Sequence, residues 1–117
     1  MPHVVIEEAL DLGLVSQGIK LTVTRTGGEI LKVVDVYMSR TGRVALVDCV
    51  VVEGGHSQTF FVQLSQKERQ ITVRLLPATD PEKTDGVKRV MALIASQLLE
   101  CTAGSRLGKT NLQEFLR

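Results

Sequence analysis

Through residues 18–76, apolar and polar positions alternate along most of the chain, and glycine-containing or polar turns interrupt the alternation at intervals. That rhythm predicts five short strands. They are GIKLTVTRT (18–26), EILKVVDVYM (29–38), RVALVDCVVV (43–52), SQTFFVQL (57–64) and RQITVRLL (69–76). Gly27-Gly28 is a strong hairpin signal, because a two-residue loop of this kind needs φ > 0. Arg40-Thr41-Gly42, Glu53-Gly54-Gly55-His56 and the polar Ser65–Glu68 stretch punctuate the rest. Strands joined by such short turns form an antiparallel meander.

The pleat can be followed from strand to strand. In a two-residue hairpin, paired positions have numbers that sum to an odd value. Applied to every turn, this rule puts Ile19, Leu21, Val23, Ile30, Val34, Val36, Met38, Ala45, Val47, Cys49, Val51, Phe60, Val62, Leu64, Ile71, Val73 and Leu75 on one face. That face is apolar on every strand and is the expected core face. A one-residue slip in any hairpin would turn a strand over. A three-residue loop at Arg40–Gly42 would require a compensating bulge.

After Leu76 the spacing changes. Asp80-Pro81-Glu82 has the acidic first turn and early proline of a helix start. Val87, Val90, Met91, Ile94, Ala95, Leu98 and Cys101 then recur on one helical stripe. Residues 80–103 are therefore expected to form an amphipathic helix that covers the core face, with Gly104 as its C-terminal cap. Residues 1–17 carry both signals: Val4, Val5 and Ile6 suit a strand, while Glu7, Glu8, Ala9, Leu10 and Leu12 suit a short helix. They are expected to cover part of the sheet. The tail, 104–117, has a capping-box pattern at Thr110 and Gln113, so a short terminal helix is expected. The fold class expected is α+β, one domain: a five-stranded antiparallel meander with a long C-terminal helix on one face and both termini at the periphery.

The opposite face carries the functional interest. The same rule assigns it Lys20, Thr22, Thr24, Leu31, Val33, Asp35, Tyr37, Val44, Leu46, Asp48, Val50, Val52, Ser57, Thr59, Phe61, Gln63, Gln70, Thr72 and Arg74. A sheet wet on one side should be polar there. Instead Leu31, Val33, Tyr37, Val44, Leu46, Val50, Val52 and Phe61 form an apolar patch, large for a soluble monomer. The N-terminal segment, a second copy of the chain, or a ligand or protein partner are the covers available. Asp48, Phe61 and Arg74 are expected in one cross-strand row, with Asp35 diagonal to Asp48. Two carboxylates and a guanidinium suit general acid–base work or, more simply, an ion-pair cluster inside an interface.

Composition narrows the choice. The chain has 117 residues, 44% hydrophobic and 23% charged, with net charge +1. That describes a globular domain, and no apolar run approaches a membrane span. The N-terminus carries acids where a targeting segment would be basic, so a cytoplasmic location is expected, with no membrane partner. Aromatic residues make up 3%, too few for an extensive base-stacking platform, although Lys20, Arg25, Lys32, Arg69 and Arg74 would suit a sheet-edge interface with single-stranded nucleic acid. Those lysines and arginines equally suit edges blocked against strand pairing.

The remaining motifs are weak. AGSRLGKT (103–110) matches a loose phosphate-loop pattern, but it follows a helix rather than a strand. What survives is an anion site at Gly108 and Lys109, on the N-terminus of the tail helix. His3 and His56 have no Cys or His partner nearby in sequence, so no metal is expected. Cys49 and Cys101 read as buried thiols on the core face and the helix stripe. No cofactor is implied. The expected function is a non-catalytic binding or assembly module, as a homo-oligomer, most simply a dimer. The alternatives are a nucleic-acid-binding sheet and an enzyme using Asp35 and Asp48.

Overall fold

The structure is a computed structural model that describes residues 1–9 and 11–116. Leu10, read from sequence as part of the N-terminal segment, and Arg117, at the end of the tail, lie outside the described residues. The architecture is α+β, built on one antiparallel sheet of seven strands rather than five. The strands are β1 (His3–Glu7), β2 (Val23–Thr26), β3 (Glu29–Met38), β4 (Val44–Glu53), β5 (His56–Lys67), β6 (Gln70–Leu75) and β7 (Arg106–Thr110). A short helix α1 (Leu12–Ser16) follows β1, and the main helix α2 (Asp85–Cys101) follows β6. The sheet order is β2-β3-β4-β5-β6-β1-β7.

The meander from β2 to β6 follows its turns. Gly27-Gly28 and Gly54-Gly55 close two-residue loops between Thr26 and Glu29 and between Glu53 and His56. Gly54 and Gly55 both have positive φ, at 56° and 82°, the conformation this loop type demands. The β5–β6 turn is two residues, Glu68-Arg69, so β5 runs through the polar stretch expected as a loop.

The two additional strands come from the termini. On β1, Val4 and Ile6 point to the core and pair with Val73 and Ile71 of β6. β7 then adds to the outside of β1. Residues 1–17 are thus both a strand and a helix. α1 is capped by Asp11, whose side chain accepts the Gly13 N–H at 2.8 Å. It buries Leu12 and Val15 beside α2, on the helix side of the sheet. The N-terminal segment therefore does not cover the opposite face.

The core lies between the sheet and α2. Val47, Cys49 and Val51 of β4, Phe60, Val62 and Leu64 of β5, and Ile71, Val73 and Leu75 of β6 are buried as expected. They meet Val87, Val90, Met91, Ile94, Ala95 and Leu98 of α2. The helix starts at Asp85, later than Asp80-Pro81. Thr84 is its N-cap, accepting the Val87 N–H at 3.3 Å. The Glu53 carboxylate completes the cap by accepting the Thr84 hydroxyl at 2.5 Å and the Gly86 N–H at 3.1 Å. Free N–H groups at a helix start attract a carboxylate, and Glu53 brings one from the β4–β5 turn. Cys101, expected on the core stripe, is exposed at the helix end, and its sulfur lies where a side chain on Gly18 would be.

Candidate functional site

The helix-free face of the sheet is organised by one irregularity. Within β3, Val33 pairs with Cys49 but Asp35 pairs with Asp48, so the register shifts by one residue. Val34 is the extra residue of this bulge. Before it, Leu31 and Val33 point toward α2, opposite Val51 and Cys49, and are 7% and 3% exposed. After it, Val36 and Met38 point that way, opposite Val47 and Ala45. The strand changes phase in the middle.

This corrects part of the sequence-based assignment. Leu31 and Val33 belong to the core, not to the opposite face. Ile30 and Val34, expected in the core, belong to the opposite face. β2 follows β3, and there the correction is larger. Thr22 exchanges backbone hydrogen bonds with Val33 at 3.2 and 2.9 Å, and Thr24 pairs with Leu31. The threonines therefore point to the helix side. Leu21 and Val23 point outward and are 58% and 55% exposed. A signal for the bulge was present: Lys32 and Asp35 are three apart, and two polar residues at odd spacing cannot share one face of a regular strand.

The outer face can now be laid out in rows across the strands. One row holds Arg25, Ile30, Val52 and Ser57; the next holds Val23, Lys32, Val50 and Thr59. Asp35, Asp48 and Phe61 follow, with Val34 beside Asp35. The next row is Tyr37, Leu46, Gln63, Arg74 and His3, and the last is Val44, Ser65, Thr72 and Val5. Of the patch residues expected from sequence, Tyr37, Val44, Leu46, Val50, Val52 and Phe61 are on this face. Tyr37 and Phe61 meet edge to face across β4, with ring centroids 6.2 Å apart.

The chemistry of the row differs from expectation. Asp48 pairs directly with both Asp35 and Phe61, so the two carboxylates are opposite each other rather than diagonal. Arg74 pairs with Gln63 instead. It is two strands and one row from Asp48, roughly 12 Å by strand spacing and rise. The Asp35 carboxylate accepts the Val36 N–H at 2.8 Å. Among the described residues, neither aspartate has an ion-pair partner, and neither do Lys32 and Arg74. Like charges directly opposite on adjacent strands are unfavourable.

The other candidates scatter. Gly108 and Lys109 lie in β7, not in a loop before a helix; only a three-residue 3-10 turn follows, at Gln113–Phe115. A side chain on Gly108 would meet the Glu7 carboxylate at 2.6 Å, and Arg106 already pairs with Glu7 at 3.0 Å. An anion at Gly108 would therefore face a carboxylate. His3 is in β1, level with Gln63 of β5, and His56 is at the start of β5 with β6 between the two strands, so the histidines are far apart. Among the described residues, no three His, Cys, Asp or Glu side chains cluster to hold a metal. The Cys49 thiol is pushed up to about 12 by burial, with the nearby Asp48 charge adding to it, so it stays protonated and inert. No helix among the described residues is long and apolar enough to cross a membrane.

No protein-family model, curated protein or solved structure matches the chain.

Proposed function

We propose that this protein is a non-catalytic assembly module that self-associates through the outer face of β2, β3 and β4. The carrying observation is the orientation of β2. As an edge strand beyond the helix it has polar and apolar sides to distribute. It turns its threonines toward the helix side and Leu21 and Val23 outward, away from the core under α2. With Ile30, Val34, Tyr37, Leu46, Val50, Val52 and Phe61 they make an apolar surface around Lys32, Asp35 and Asp48.

The size of that surface supports the same reading. By strand spacing and rise, three strands and five rows span on the order of 500 Å². A standard interface buries about 800 Å² per partner, and contiguous apolar patches of this extent mark interaction sites. The outer face of β5 and β6, by contrast, is Ser57, Thr59, Gln63, Thr72 and Arg74, suited to water, apart from Phe61 beside the patch. The unpaired Asp35 and Asp48 fit an interface in which a cation from across meets them.

Light scattering on the eluting protein tests this. The full chain is expected at twice the mass of one chain. Leu46→Lys, which sets a charge in the patch, is expected to elute at the mass of one chain while keeping its fold by circular dichroism. A single-chain mass for the unaltered protein would end the proposal.

A further inference from the structure

Along the outward side of β3 the order is Ile30, Lys32, Asp35, Tyr37: apolar, base, acid, apolar. The bulge at Val34 makes this possible, by putting a base and an acid three residues apart onto the same face in adjacent rows. Such an order is its own complement when read backwards. We infer that two copies of the chain stack face to face about a two-fold axis that runs across the strands, between the Lys32 row and the Asp35 row. This rests on the outer face being the assembly surface proposed above.

Under this axis, β3 of one copy lies over β3 of the other, running the opposite way. Lys32 then sits over Asp35 of the second copy, one strand from its Asp48. One ammonium thus serves both of the facing carboxylates, which have no ion-pair partner among the described residues. Ile30 meets Tyr37, and Val52 meets Leu46. Other two-fold arrangements are worse. An axis along the strands leaves the acid row against the acid row. An axis through the Asp35 row sets aspartate on aspartate, and one through the Lys32 row sets lysine on lysine. Stacked sheets cross at about 30°, which displaces outlying rows most and the two rows flanking the axis least.

Charge reversal in two separate chains tests the axis. Lys32→Asp gives a chain with two acids in these rows, and Asp35→Lys gives one with two bases. Each alone is expected to dimerise on the order of tenfold or more weakly, because like charges then face each other across the axis. An equimolar mixture is expected to recover the unaltered affinity, measured by sedimentation. A mixture no tighter than either variant alone, while Leu46→Lys still yields single chains, overturns the axis and leaves the assembly face standing. An unaltered chain that remains single, or a dimer indifferent to Leu46→Lys, overturns both. If a reversal does not fold, Lys32→Gln and Asp35→Asn replace it. The double neutral variant is then expected to lose no more than the worse single one, and additive losses overturn the axis.

Discussion

The outer face of this sheet has two unlike halves. On β5 and β6 it carries serine, threonine, glutamine and arginine, the pattern of a surface meant for water. On β2, β3 and β4 it carries Leu21, Val23, Ile30, Val34, Leu46, Val50 and Val52, the pattern of a surface meant for a core. Both halves share the same strands' hydrogen bonding and the same helix behind them, so neither folding nor topology explains the difference. β4 shows this within one strand. Val47, Cys49 and Val51 are sealed under α2, while Leu46, Val50 and Val52 are as apolar and only half buried. What differs under the proposed assembly is the cover, a second copy of the chain on the apolar half.

The comparison can be broken most severely at its origin. Replacing Leu31 and Val33 together by serine removes the two apolar side chains that the first phase of β3 buries on the helix side. Two apolar side chains at about 1.5–3 kcal/mol each put the expected loss at roughly 3–6 kcal/mol. Urea unfolding measures it, and a loss under about 1 kcal/mol would mean that the two phases of β3 are not fixed. Next in size is a paired substitution across the two halves. Leu46→Lys is expected to weaken association by about 2–4 kcal/mol, as for a central interface residue. Thr59→Lys, on the polar margin, is expected to leave it unchanged within about 0.5 kcal/mol. Equal effects would erase the distinction between the halves.

Smaller effects sharpen the helix side of the account. Gly86→Ala would place a methyl 2.7 Å from Val51 and 2.7 Å from the Glu53 carboxylate. It forces apart the contact that starts α2, at an expected cost of about 1–3 kcal/mol, read from thermal unfolding. Smallest is the Cys49 titration. The folded thiol is raised from 9.0 to about 12, so the unfolded chain loses this proton first as pH rises. Stability therefore falls through that window, by up to about 1.4 kcal/mol per pH unit from this group. Cys49→Ala should flatten the slope relative to the unaltered chain. In native protein Cys101 should react with a thiol reagent and Cys49 should not.

Glycine pairs, polar turns and helical spacing made the central meander and the buried stripe of α2 legible in the sequence. The phase of β3 was not, because Ile30, Leu31, Val33 and Val34 are equally apolar and alternation among them carries no sign. Only the odd spacing of Lys32 and Asp35 marked it. The error then passed to β2, whose orientation depends wholly on β3. β7 was hidden by its likeness to a phosphate loop. Its strand character comes from pairing with β1, more than a hundred residues' numbering away at Val4 and Thr110, which no local pattern carries. The helix start was misplaced because Glu53, remote in sequence, completes the cap at Thr84.

The central claim is that the apolar half of the outer face is covered by a second copy. Sedimentation equilibrium of the unaltered full chain, over roughly 1–100 μM to bracket a micromolar dissociation constant, tests it most directly. The account predicts a mass that rises to that of two 12.8 kDa chains within this range. A mass of one chain at every concentration would contradict it.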